Sequence, residues 1–281
     1  MRADPPVRFH VEDNVGVVTL NDAGGMNALG EDLLEGLTRA VDSARDDASV
    51  RALLIRAEGR AFCAGADLAE IKRRLADSSG GGASAYVACL LEQHAVPLLL
   101  ALRRLPMVVV CAVGGAAVGG GVGLALAADM VIASRSAYFS LPFVPSLGLI
   151  PDLGATSRLT RTLGPARAIG LALTGEKFTA EQAERWGLVW KCVPDESLSS
   201  EAIALARRCA GLYPEAVRAA KSLFDSAETT TFAEQLGLET DAQRRLAGAG
   251  GFREGVNAFL ERRSPNFSDL SHGDQDVRSV D

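Results

Sequence analysis

The sequence predicts an α/β core followed by a helical appendage. Strand-like runs rich in β-branched residues alternate with runs of helical period across residues 7–196. A string of glycines at 114–123 turns one such strand directly into a helix. From residue 197 onward the pattern is helical almost throughout, to residue 267.

The elements follow in order. Residues 15–20 (VGVVTL) read as a strand. Residues 31–46 place Leu33, Leu34, Leu37 and Val41 at helical spacing, one apolar stripe on a polar helix. Residues 50–55 read as a second strand and 69–75 as a short helix. Residues 83–105 read as one long helix that stops before Pro106, since a residue preceding proline leaves the helical region. Residues 107–113, 129–133 and 137–141 read as strands, with a helix at 124–128 between the first two. Four helices follow, at 201–212, 215–227, 232–246 and 252–262. Their apolar faces have no sheet of their own to cover, which leads us to expect a homo-oligomer. The stretch 78–82 (SSGGG) is a linker or the edge of a lid, and the polar tail 268–281 is expected to be disordered.

Composition narrows the function. The chain has 281 residues, 48% of them hydrophobic, enough for a substantial core. A net charge of −6 argues against a nucleic-acid surface. Cys63, Cys89, Cys111, Cys192 and Cys209 are odd in number and form no CxxC pair, the pattern of reduced thiols in a cytoplasmic protein. The first residues lack a signal core, and no apolar run reaches membrane-spanning length, so no membrane insertion is expected. No metal-ligand motif stands out.

Two glycine turns carry the chemistry. Gly114–Gly123 follows an apolar strand and opens a helix, leaving N–H groups at the helix start to meet an oxygen on which charge develops. No Lys-Ser/Thr follows, as a nucleotide loop needs. The glycines could also serve only close packing of helix on sheet. Residues 60–68 (RAFCAGADL) repeat the strand-to-helix turn. Two such turns in one domain can aim two N–H groups at one oxygen, which makes an oxyanion hole.

With these turns, the run 112–129, Gly148-Leu149-Ile150-Pro151-Asp152, Leu173-Thr174-Gly175, and the late stretches 253–255 and 259–267, the chain resembles the crotonase superfamily of enoyl-CoA hydratases and isomerases over nearly its whole length. The resemblance implies a spiral of β-β-α units (a ClpP-like core), a C-terminal helical trimerisation domain, and trimers or hexamers. It implies an acyl-CoA thioester substrate, with coenzyme A part of the substrate and no other cofactor. It assigns the oxyanion donors to the N–H groups of Ala64 and Gly120, and the acyl-CoA site to those two residues with Ala28, Gly65, Ala66, Asp67, Gly119 and Phe143. The 26–29 segment (MNAL) resembles the family's stretch near the CoA moiety, without its usual Asn-Arg-Pro.

Hydratases of the superfamily hold a water between two glutamates. Here the first position is Gly123 and the second Phe143 or Val144. The remaining acid is Asp152, at the place where PaaG-like isomerases carry their acid/base; its other reading is a helix cap. Among apolar neighbours its pKa should rise. An isomerase needs one such base to move a proton across three carbons. His94, with Asp152, matches the histidine and aspartate of the 4-chlorobenzoyl-CoA dehalogenases; it could equally be a packing residue. Arg103 and Arg104 suit a solvated helix face, Arg262 and Arg263 either an exposed helix end or a CoA phosphate of a neighbouring subunit, and Ser140, Ser146 and Ser157 form no nucleophile elbow. The expected function is therefore an enoyl-CoA isomerase, with a hydratase, a dehalogenase-like enzyme or a non-catalytic acyl-CoA-binding homologue as alternatives.

Overall fold

The computed structural model describes residues 4–76 and 82–268, so most of the glycine-rich break and of the polar tail lies outside the described residues. The chain divides into two compact units between Arg207 and Arg208, later than the boundary expected at 197.

In the first unit, β1 (Val7–Glu12) and β2 (Val15–Leu20) form an antiparallel hairpin. Asp13 and Asn14, at φ +48° and +62°, make its two-residue turn. This strand pair was signalled by the Asp-Asn turn, yet β1 is absent from the sequence-based expectations. Helix α1 (Glu31–Asp46) buries the predicted stripe of Leu33, Leu34, Leu37 and Val41, and acids in its first turn complement the helix dipole. Then come β3 (Ala52–Ala57), β4 (Ala61–Cys63) and α2 (Leu68–Ala76).

The long helix expected at 83–105 begins as α3 (Gly82–Cys89), widens into a π-helical turn at Leu90–Ala95 and resumes as α4 (Val96–Arg104). Pro97 opens α4 and has no N–H to donate into the preceding turn, which gives the widening a cause. The expectation that no apolar run reaches membrane-spanning length is corrected by this helix. Gly82–Arg104, 23 residues with mean hydropathy 1.5, is long and apolar enough by length and composition to cross a membrane.

The remaining elements of this unit are β5 (Val108–Val113), β6 (Ala116–Val118), α5 (Gly120–Leu126), β7 (Met130–Ser134), β8 (Tyr138–Ser140), a π-helical turn at Phe143–Leu147, α6 (Ala155–Leu163), α7 (Pro165–Thr174), β9 (Phe178–Thr179), α8 (Ala180–Arg185), β10 (Lys191–Val193) and α9 (Leu198–Ala210), which runs past the division. One sheet has the order β1-β2-β3-β5-β7-β10, parallel beyond its first hairpin, and a second has the order β4-β6-β8-β9. Successive pairs, β3 with β4, β5 with β6 and β7 with β8, give one strand to each sheet. The chain thus advances as a spiral of β-β-α units. β2 and β5 are buried along their whole length, as a parallel sheet covered on both faces requires.

The second unit contains α10 (Pro214–Ser226), α11 (Phe232–Ala247) and α12 (Gly250–Glu261). Thr231 and Glu234 close a capping box at the start of α11. Its helices leave Phe224, Phe232, Phe252 and Phe259 exposed.

Candidate active site

β4 and β6 are parallel neighbours, with Ala61 opposite Ala116 and Cys63 opposite Ala117. The turns that leave them, 64–67 and 119–120, therefore emerge from the same end of the same sheet. They touch. A Cβ on Gly65 would stand 2.8 Å from the Val118 carbonyl and 3.5 Å from the Gly120 nitrogen, and Gly65 sits at φ +86°, so only glycine fits.

The N–H groups of the first turn correct one expected donor. The Ala64 N–H donates to the Met26 carbonyl at 3.1 Å and is spent. The Gly65 N–H faces the Cys63 thiol and favours its charged form. The N–H groups of Ala66 and Gly120 find no acceptor among the described residues. The free pair at this sheet end is thus Ala66 with Gly120, not Ala64 with Gly120. The pattern Ala-Gly-Ala does not tell its two alanines apart; only the fold of residues 21–29 back onto the turn does. Asn27, fully buried, fixes that loop by donating to the Glu58 and Ala61 carbonyls at 3.0 and 2.9 Å and accepting from the Asp22 N–H. Asp67 accepts from the N–H groups of Ala69 and Glu70, so its carboxylate caps α2.

Asp152 stands over the second turn. Its Oδ1 lies 3.7 Å from the point where a Cβ on Gly120 would be. That oxygen is shielded from solvent and has no hydrogen-bond partner among the described residues. Burial pushes the carboxyl up to about 6 from an ordinary value of 3.8. The helix-cap reading fails: α6 starts after Gly154 with no side-chain cap. The Ala155 N–H donates instead to the Asp152 backbone carbonyl at 3.0 Å. Between them Leu153 and Gly154 sit at φ +50° and +77°, the signature of a type I′ turn.

Gly123 is glycine for a reason of space. A Cβ there would meet both the Cβ and the carbonyl oxygen of Leu153 at 2.6 Å. Phe143 is buried with its ring against Gly119, 3.5 Å from where that residue's Cβ would be. Ala28, Ala64, Ala66 and Asp67 line an open cavity of about 840 Å³ that also takes in Glu31 and Tyr86. Among the described residues no hydrogen bond or ion pair joins His94 to Asp152. Its Nε2 lies 3.9 Å from Glu31 Oε1, and ligand atoms of Glu31, Glu35 and His94 fall within 4.8 Å of one another.

A family model described as enoyl-CoA hydratase/isomerase matches residues 10–270. The chain belongs to the enoyl-CoA hydratase/isomerase family. Among relatives of this family, the 1,2-epoxyphenylacetyl-CoA isomerase of Escherichia coli is 42% identical over 259 residues, 92% of this chain and 97% of its own. A "probable enoyl-CoA hydratase" of Rhodobacter capsulatus is 40% identical over 262 residues, 93% of this chain and 97% of its own. A Mycobacterium abscessus structure described as an enoyl-CoA hydratase/isomerase superposes with a TM-score of 0.87 at 34% identity, covering 93% of this chain and 98% of that one. The β-β-α spiral is accordingly the crotonase fold, followed here by its helical C-terminal region. The relatives are named for both activities, so membership establishes acyl-CoA chemistry of this family and leaves the choice between isomerase and hydratase to the site itself.

Proposed function

We propose that this protein is an acyl-CoA isomerase that shifts a carbon–carbon double bond by a 1,3-proton transfer. The observation that carries the reading is Asp152: a single carboxyl, its Oδ1 buried and without a partner, beside a free helix-start N–H. For a 3-enoyl thioester, the Asp152 carboxylate takes a proton from C2. The electron pair of that C–H bond passes to the thioester oxygen, which the Ala66 and Gly120 N–H groups hold as a dienolate. The Asp152 O–H then gives its proton to C4, and the electrons return to form the C2–C3 double bond. Atoms and electrons balance with coenzyme A as carrier and no redox partner. A placed base is worth roughly 10²–10⁴ in rate and each oxyanion donor about 10²–10³.

A hydratase needs carboxylates to activate water, and neither Gly123 nor Phe143 or Val144 supplies one where the family resemblance expects them. The exposed phenylalanines of α10–α12 support a homo-oligomer, read as a trimer or hexamer, and the scattered free thiols support a cytoplasmic setting. The test is incubation of the purified protein with 3-enoyl-CoA and 2-enoyl-CoA thioesters, followed by absorbance and mass. Interconversion without mass gain, lost in Asp152→Asn, supports the isomerase. Addition of 18 mass units to 2-enoyl-CoA at a comparable rate would establish a hydratase instead. Tight acyl-CoA binding with neither change would identify a non-catalytic member.

A further inference from the structure

The Asp152–Ala155 turn holds a residue that its backbone does not favour. Both central positions of a type I′ turn lie in the left-handed region, which glycine and asparagine enter readily. Gly154 meets that demand, whereas Leu153, at φ +50°, does not. A bulky side chain held in such a conformation stores strain, and strain kept in place at a reaction centre points to a use for the side chain.

The position of Leu153 indicates the use. Its Cδ1 lies 3.0 Å from the Cβ position of Gly120, and Asp152 Oδ1 lies 3.7 Å from that same point. Its Cβ and carbonyl oxygen fill the space beside Gly123. The residue also borders a cleft of about 370 Å³ whose walls include Val96, Leu99, Leu100 and Leu126, and Val96 and Leu100 are exposed. Leu153 itself is 9% exposed. Leu153 therefore stands both beside the point that Asp152 Oδ1 approaches and at the edge of that cleft.

We propose that Leu153 is a specificity-determining residue whose side chain walls water off from the Asp152 protonation site, so that the proton removed from the acyl chain is returned to it. This rests on the isomerase reading above. The consequence is twofold. Water cannot reach C3 of the 2-enoyl product to be added there, and the hydron on Asp152 is passed to C4 before it exchanges with solvent.

The experiment uses the full-length protein, 3-hexenoyl-CoA carrying two deuterium atoms at C2, and ordinary water. A transferred label leaves 2-hexenoyl-CoA with two deuterium atoms; an exchanged label leaves one. The wild-type protein is expected to give mostly the doubly labelled product at early conversion. Leu153→Gly, which also relieves the backbone strain, should cut label retention at least threefold. Leu153→Ala should lie between, and Leu153→Met, which keeps the volume, should restore retention. Equal retention in Leu153→Gly, or complete washout already in the wild type, overturns the proposal. A second readout does not depend on turnover. The Asp152 carboxyl, followed by ¹³C NMR and assigned with Asp152→Asn, should titrate near 6 in the wild type and at least one pH unit lower in Leu153→Gly as water reaches it. No drop there overturns the role of Leu153. Absence of any double-bond shift in the wild type overturns the isomerase reading, and the titration still decides whether Leu153 shields the acid.

Discussion

The carbonyl oxygen of Leu153 stands 2.6 Å from the place where a side chain on Gly123 would begin. The absence of a glutamate at that position is therefore more than a missing functional group. Backbone occupies the space. Gly123→Ala is expected to destabilise the protein by about 1–3 kcal/mol, as over-packing against unyielding backbone does, read as a lower urea midpoint with unchanged slope. Gly123→Glu should lose folded protein and gain no hydration of 2-butenoyl-CoA. A hydrating Gly123→Glu variant of normal stability would contradict the packing described here.

Asp152→Asn should lower kcat for double-bond migration by about 10²–10⁴ while acyl-CoA binding, measured by calorimetry, stays within a few-fold. The amide keeps the volume and loses the base. Retained turnover would remove Asp152 from the mechanism.

The pH dependence follows from the same residue. Asp152 acts first as a carboxylate, and burial holds its carboxyl near 6. The rate at low substrate should therefore rise about tenfold per pH unit below 6 and level off above it. Stability runs the other way. The folded chain keeps a proton that the unfolded chain releases near 3.8, so the stabilisation from that proton is whole below 3.8 and lost as pH rises through 6. Asp152→Asn should accordingly melt higher than the wild type at pH 8 and at nearly the same temperature at pH 3.5. A difference that is equal at both values would show that the carboxylate is not the cause.

Asn27 ties the 21–29 loop to the strand end beneath the donor turn through two amide hydrogen bonds. Asn27→Ala leaves the Glu58 and Ala61 carbonyls without that partner and should cost about 1–3 kcal/mol. It should also free the Ala64 N–H by loosening Met26, visible as faster amide hydrogen exchange at Ala64 than in the wild type.

His94 pairs with a different acid. Its close partner is Glu31 on α1, not Asp152. His94→Ala is expected to change turnover by no more than a few-fold in a steady-state assay. A loss of a hundredfold would restore the dehalogenase-like pairing of His94 with Asp152.

Much of this molecule was written locally. Alternating β-branched and helical runs specify the α/β core, because period two and period 3.6 are properties of neighbouring residues; α1 begins and ends where its leucine stripe says. The two glycine turns and Asp152 were also visible as residues. What was not local went unseen. Strands of three residues such as β4 and β6 carry too little pattern to be recognised, although the site hangs on their pairing. The choice of Ala66 over Ala64 depends on a carbonyl at Met26, distant in sequence. The sequence by itself determined which groups could do chemistry: small turns, one acid, and no glutamate at position 123. Only the tertiary structure decided which N–H stays free, that the acid loses water, and that Leu153 fills the space beside Gly123, because hydrogen-bond saturation, desolvation and exclusion are set by whatever the fold brings alongside.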